Sequence, residues 1–438
     1  MRISPELQRN VWLEMSPTRL LVTPAVLLAI LFLLYLAFEE DFYGAARNVA
    51  VWGFILVTYF WGARQAAESV TEEISDRTWD MQRMSSISSW ELTTGKLFGS
   101  TVFAWYTGIY FLGIFIFTSL VILPQELPGH LLLLVLVALL AHGLSLLSSL
   151  HMIQKTRKPS RSHSALMFFL VVAFGIAVFN IYDDEGVQLT WYGNDYDTLW
   201  FLNLSGIVWL AWTLLGLNQY IRRELQLRNG PWLFAVFILF AMAFFAGFLE
   251  DTREDLLITN VRLFSSWSGL LIFIYVLLLT DRKDPILLRR ALYHFRKGNI
   301  RRCSEELPAW FTATVVLLLV MLAAMLFNFE LFQFIDFRVG LNGYMLSLFV
   351  FLLRDIGLIL YLNLLADRRR ADGAALVYLA VLYFLIPMIL ALLHLEELSA
   401  LFIWQGEQHV VLSIVSGTIQ AVIMVVLVSQ RWRRFFAG

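Results

Sequence analysis

An arginine and an aspartate stand side by side, Arg354-Asp355, in the middle of an apolar run at about 342–365. Ionised groups in such a setting cost about 2.5 kcal/mol or more each unless they are paired or wetted. Successive residues of a helix point about 100° apart, so the two are not expected simply to pair with each other. Each needs a partner on another helix or a water-filled cleft. Two readings follow: a substrate or gating contact, or a structural lock. His142, in another apolar run, is either one such partner or a neutral imidazole bonded to a neighbouring helix. Asn203, Asn363 and Gln420 read as interhelical hydrogen-bonding groups. No cluster of His, Cys and carboxylates has metal-ligand spacing, and no nucleophile–base set stands at a water boundary. Cys303 is the single cysteine, so no intrachain disulfide can form. A phosphate-cradling loop is missing as well: the one Gly-Lys pair, Gly95-Lys96, is followed by Leu97, with Trp90 where the first glycine belongs. No enzyme in the chemical sense is expected.

The second stretch of interest, Glu73–Lys96, is the longest polar interruption in the front half of the chain. Trp79, Met81, Met84 and Ile87 recur at roughly helical spacing among charges and hydroxyls. That pattern suits a short amphipathic helix pressed on a water-facing surface, and equally a solvated loop.

These residues must be positioned by helices in a bilayer. The chain of 438 residues is 59% hydrophobic and 15% charged, with mean hydropathy +0.69, more apolar surface than a soluble domain can hide. Runs long enough for a hydrocarbon core of roughly 30 Å fall at about 20–38, 48–66, 97–122, 130–152, 164–181, 200–219, 231–249, 263–280, 309–327, 342–365, 374–394 and 409–429. The expected fold is therefore all-α and polytopic, with about twelve spans. Of the 33 Lys and Arg, all but Arg47, Arg253, Arg262, Arg338 and Arg354 fall in the termini and even-numbered loops or at their edges, which places both termini in the cytoplasm. The opposite loops are acidic, as in Glu39-Glu40-Asp41 and Asp183-Asp184-Glu185. The first apolar run has no small-residue cleavage site and reads as an uncleaved span. Before it, Pro5–Thr18 has Leu7, Val11, Trp12 and Met15 at the spacing of a surface helix. The net charge of −1 gives no argument for nucleic acid.

Two cytoplasmic loops are long, Glu73–Lys96 and Asp281–Pro308, and each follows the second span of a six-span half. Ala104-Trp105-Tyr106-Thr107 is echoed by Ala309-Trp310-Phe311-Thr312, and Leu139-Leu140-Ala141-His142 by Leu352-Leu353-Arg354-Asp355. A tandem duplication follows, with units 1–225 and 226–438. In the loop 281–308, Leu287, Leu288, Ala291, Leu292 and Phe295 mark one helical face after Pro285, and Gly298 suits its end. A basic helix held on anionic lipid headgroups would also look like this.

Glu73, Arg77-Thr78, Met84-Ser85-Ser86-Ile87-Ser88 and Gly95-Lys96 stand in the order of a motif between the second and third helices of type-2 ATP-binding-cassette (ABC) exporter permeases, and the stretch resembles that family. Arg77 stands where the family has glycine, and Ser86 where it has proline. The N-terminal surface helix, with Glu14 before the first span, resembles the family's elbow helix. The resemblance implies a coupling helix at about 73–92, docked on a separate cytoplasmic ATPase through Trp79, Met81, Met84, Ser85, Ile87 and Ser88. By position in the repeat, Leu288, Leu292 and Phe295 of the degenerate second unit would be a weaker docking face. It also implies short outer helices at Asp183–Trp200 and Glu396–Trp404, a bacterial inner-membrane location, and export by alternating access. ATP and Mg would sit on the ATPase, in two copies, with no cofactor in this chain; membrane lipid and a second permease chain are further implied partners. Two rival expectations are a twelve-helix secondary transporter of the major-facilitator kind and a membrane scaffold that transports nothing. Asp76-Arg77 with Arg83 faintly resembles the former's loop motif, without its glycines.

Overall fold

The computed structural model describes residues 5–75, 78–84, 87–122, 124–156, 188–249, 255–281, 283–326, 341–364, 371–404 and 409–437. The chain divides into two units, Met1–Leu189 with Asp195–Asn229, and Gly230–Gly438 with Thr190–Asn194.

In unit 1, the surface helix α1 (Pro5–Glu14) turns at Ser16, whose hydroxyl accepts the Arg19 N–H, into α2 (Pro17–Ala37). Pro17 suits the first helical turn because its missing N–H would have no partner there. Helix α3 (Phe42–Phe54) continues through a π-helical segment, Ile55–Trp61, into α4 (Gly62–Ser75). The short α5 (Trp79–Arg83) and α6 (Ser89–Gly99) lead to α7 (Val102–Ile122) and α8 (Leu127–Thr156). A hairpin of β1 (Gln188–Trp191) and β2 (Asn194–Asp197), whose tip Thr190–Asn194 belongs to unit 2, precedes α9 (Thr198–Glu224).

Unit 2 holds α10 (Trp232–Ala246), α11 (Asp255–Thr280), the pair α12 (Pro285–Arg296) and α13 (Ile300–Glu306), α14 (Ala309–Leu326) and α15 (Leu341–Asn363). Then α16 (Ala371–Ala380) runs through a π segment, Val381–Leu385, into α17 (Ile386–Leu392). A 3-10 turn at Glu396–Leu401 and α18 (Val410–Ala437) close the chain.

Among the described residues, nine helical stretches are long and apolar enough to cross a membrane; the chain is an all-α polytopic integral membrane protein. Three expected spans are not among the nine. The one at 48–66 lies in the α3–α4 rod, which the π segment divides. Helix α10, 15 residues long, rises only about 22 Å. Trp191 Nε1 donates to the Phe244 carbonyl, and the Tyr192 N–H to that of Gly247, so the hairpin tip caps the end of α10. The expected span at 164–181 lies outside the described residues.

Several helix pairings recur in the two units. In unit 1, α3 packs on α7, α4 on α8, and α8 on α9; in unit 2, α11 packs on α14 and α15, and α15 on α18.

One outer element differs from expectation. Where a short helix was expected at 183–200, residues 188–197 form the hairpin. Tyr192 and Gly193 both have positive φ, 51° and 75°, the geometry of a tight hairpin turn. Asp197 then accepts the Trp200 N–H as the cap of α9.

Candidate functional site

The polar stretch folds as two short helices braced from behind by buried charge. Lys96, on α6, lies in the interior of unit 1 at 1% exposure. Its ammonium donates to Glu6 of α1 at 2.8 Å and to Glu73 at the end of α4. Arg9 Nη2 donates to both carboxylates, at 3.0 Å to Glu6 and 2.5 Å to Glu73. Two carboxylates thus face two cations, the balance that makes buried charge tolerable. Lys96 also sits over the Trp79 ring at 5.7 Å. Helix α6 begins with a capping box: the Ser88 hydroxyl accepts the Glu91 N–H, and the Glu91 carboxylate accepts the Ser88 N–H. The hydrogen bonds from the Ser88 backbone and hydroxyl hold Glu91 below the usual carboxylate range. Asn218 of α9 donates to the Ser89 hydroxyl, tying α6 to α9.

The expected docking residues part company here. Met81 and Met84 project outward at 72% and 81% exposure, and Trp90 is exposed on α6. Trp79 is corrected: its side chain packs in the core with Val70, Leu92, Leu146, Leu150 and Ile221, so it supports the surface rather than forming it. Ile87 packs against the same cluster, and Ser88 serves as the cap. Ser85 lies outside the described residues, as do Arg77 and Ser86. On α12, Leu288 is half-buried while Leu292 and Phe295 are exposed. Burial of the Cys303 thiol on α13 raises its pKa.

Within the spans, each unit holds a polar residue of α8 or α15 against a π-helical turn. In the first π segment the Gly62 N–H goes to the Tyr59 and Val57 carbonyls, bypassing Thr58. The Thr58 carbonyl accepts instead from His142 Nε2 at 2.6 Å, which fixes the Nε2–H tautomer. The ring is fully buried, edge-on to Trp105 at 5.6 Å. A Cβ on Gly62 would stand 2.4 Å from His142 Nε2. Gly62→Ala is therefore expected to lower stability by about 1–3 kcal/mol, the usual range for overpacking, read as a lower unfolding temperature in detergent; an unchanged temperature would show that the ring can move.

In unit 2, Asp355 occupies the place that His142 has in the internal echo. It accepts the hydroxyls of Tyr275 on α11 at 2.6 Å and of Tyr383, within the second π segment, at 2.5 Å. Pro387 lacks the N–H that an α-helix would direct to the Tyr383 carbonyl, and the helix is π-helical just before it. Arg354 Nε donates to Asp355 at 2.8 Å. This corrects the expectation that these neighbours would not simply pair: the long guanidinium reaches back to the adjacent carboxylate. Arg354 Nη1 donates to the Phe402 carbonyl and to Gln420 of α18. Gln420 and Ser416 in turn donate to the Leu401 carbonyl. The network thus holds the irregular segment after the 3-10 turn, whose carbonyls would otherwise lack donors. His142 and Arg354-Asp355 are bonded within their own units.

No protein-family model, curated protein or solved structure matches this chain.

The site's geometry offers a braced surface at one end of unit 1 and neutral, bonded polar networks inside the spans. Sequence reasoning missed Glu6 and Arg9, which sit far from Glu73 and Lys96 along the chain, although their charge in an amphipathic surface helix was a signal. It also missed Tyr275 and Tyr383, which in apolar runs look like ordinary aromatic packing. Trp90 was within the stretch, but spacing alone did not place it outward.

Proposed function

We propose that the chain is the membrane-spanning subunit of an ABC exporter, coupled through α5 and its flanks to a separate ATPase in the cytoplasm of a bacterial cell. Two six-helix units would form one pathway that alternates between inward and outward access. The observation that carries this reading is the pairing of exposed Met81 and Met84 with the buried charge cluster behind them. An element that takes force from another protein needs an apolar outer contact and a stiff connection to the spans. Lys96 and Glu73 join α6, α4 and the surface helix α1 in that way, and α4 continues directly into the α3–α4 rod. The internal echo and the recurring helix pairings support the duplicated architecture.

The test is co-purification and native mass spectrometry from the protein's own membranes. A soluble P-loop ATPase bound to the chain is the expected result. Met84→Asp should lower its retention about tenfold or more, since a charge desolvated against an apolar dock costs over about 1.4 kcal/mol, while the unfolding temperature of the chain stays put. A chain that never retains an ATPase, even after cross-linking from Met84, would sink the reading in favour of a secondary transporter or a scaffold.

A further inference from the structure

We infer that the α12–α13 hairpin, together with the end of α18, is a seat for anionic phospholipid headgroups. The segment 285–306 contains Arg289, Arg290, Arg296, Lys297, Arg301 and Arg302 against only Glu305 and Glu306. Both acids already face arginines, Glu306 at 2.8 Å from Arg290 and Glu305 at 3.7 Å from Arg301. The excess is cationic. Large apolar side chains sit exposed among these charges: Ile286, Leu292, Tyr293, Phe295 and Ile300. Apolar contact bordered by Arg and Lys is the pattern of a helix lying in a bilayer interface.

Depth comes from a second contact. The membrane-crossing stretch of α18, Val410–Phe436, is 27 residues long, about 40 Å, against a hydrocarbon core of roughly 30 Å. Its last turns, with Arg431, Trp432, Arg433, Arg434 and Phe435, therefore emerge among the headgroups, where aromatic and basic side chains anchor spans. Arg289 of α12 lies over the Phe436 ring at 4.5 Å, which holds the hairpin at that level. Its base is closed there too: Asp281 accepts the Ala309 N–H, and Lys283 pairs with Asp372 at the start of α16. The seat does not depend on the ATPase, so the seat and the coupling reading can fail separately. It does replace the weaker docking face expected at Leu288, Leu292 and Phe295 with a lipid one.

The experiment uses the single cysteine to advantage. Full-length chain with Cys303→Ser and Phe295→Cys is labelled with a polarity-sensitive fluorophore and placed in nanodiscs of brominated phosphatidylcholine, with or without brominated phosphatidylglycerol. Quenching should be several-fold stronger with phosphatidylglycerol. Adding Arg289→Gln, Arg296→Gln and Arg302→Gln should abolish the phosphatidylglycerol preference, bringing quenching in the two lipids to equality, since each basic contact contributes roughly fivefold. Equal quenching in the two lipids without those three changes, or none in either, would overturn the inference. So would cross-linking of Phe295→Cys in native membranes to a soluble nucleotide-binding protein instead of to lipid. Unfolding temperatures taken in detergent separate loss of lipid contact from loss of fold.

Discussion

Lys96→Met is expected to destabilise unit 1 by about 3–5 kcal/mol, the cost of breaking a buried ion pair from one side. Methionine keeps the length and apolar stem of lysine, so the change is mainly one of charge. Without the ammonium, Glu6 and Glu73 lose the buried cation they share, and Arg9, which bonds both, is itself 43% exposed. The structure can relieve this by lifting α1 away, because α1 meets α6 through Glu6 and Lys96. Two readouts should therefore move together: the unfolding temperature in detergent falls, and trypsin cuts at Arg9 faster. Adding Glu6→Gln should restore part of the loss, since Arg9 can then balance Glu73 alone. An exposed pair gives the contrast. Arg64 and Glu68, one turn apart on α4, should contribute no more than about 0.5 kcal/mol when Arg64 becomes Ala. If Lys96→Met proved as mild as Arg64→Ala, the cluster would not be the brace described above, and the proposed route of force from α5 would lose its support.

Nine of the twelve expected spans were legible because a bilayer demands long apolar runs. A helix start was legible at Asp284-Pro285, where the carboxylate accepts the Ile286 N–H, whereas the break at Ser16-Pro17 fell inside the surface helix expected over Pro5–Thr18. What periodicity could not decide was which side of a short amphipathic helix faces inward. Trp79, Met81, Met84 and Ile87 share helical spacing, yet Trp79 and Ile87 pack into the unit while the methionines leave it. Only the neighbours Leu146, Leu150 and Ile221, distant in the chain, make that choice. The same limit hid the charge cluster, because Glu6 and Lys96 are 90 residues apart. The π turns were unreadable at Thr58, where no proline marks them. The outer hairpin was misread because an expectation of helix outweighed the turn signal of Tyr192-Gly193-Asn194.

Asp355→Leu is expected to be more damaging than Arg354→Leu, and the difference tests what the pair is for. Removing the carboxylate leaves a guanidinium at 3% exposure with no counter-charge, and arginine cannot shed its proton. The loss should reach about 3–5 kcal/mol and show as little folded protein in size-exclusion chromatography. Removing the arginine instead leaves Asp355 with two hydroxyl donors, Tyr275 and Tyr383; the Phe402 carbonyl loses its donor, a penalty of about 1–3 kcal/mol. The double change to leucine removes both charges and should recover much of the stability lost with Asp355 alone, so the two effects are strongly non-additive. If the chain is the proposed exporter subunit, a structural lock predicts that the double variant, once folded, still transports. A substrate or gating contact predicts a folded double variant that does not. Arg354→Leu as harmful as Asp355→Leu would contradict the asymmetry, since it would mean that the two tyrosine hydroxyls do not hold the carboxylate by themselves.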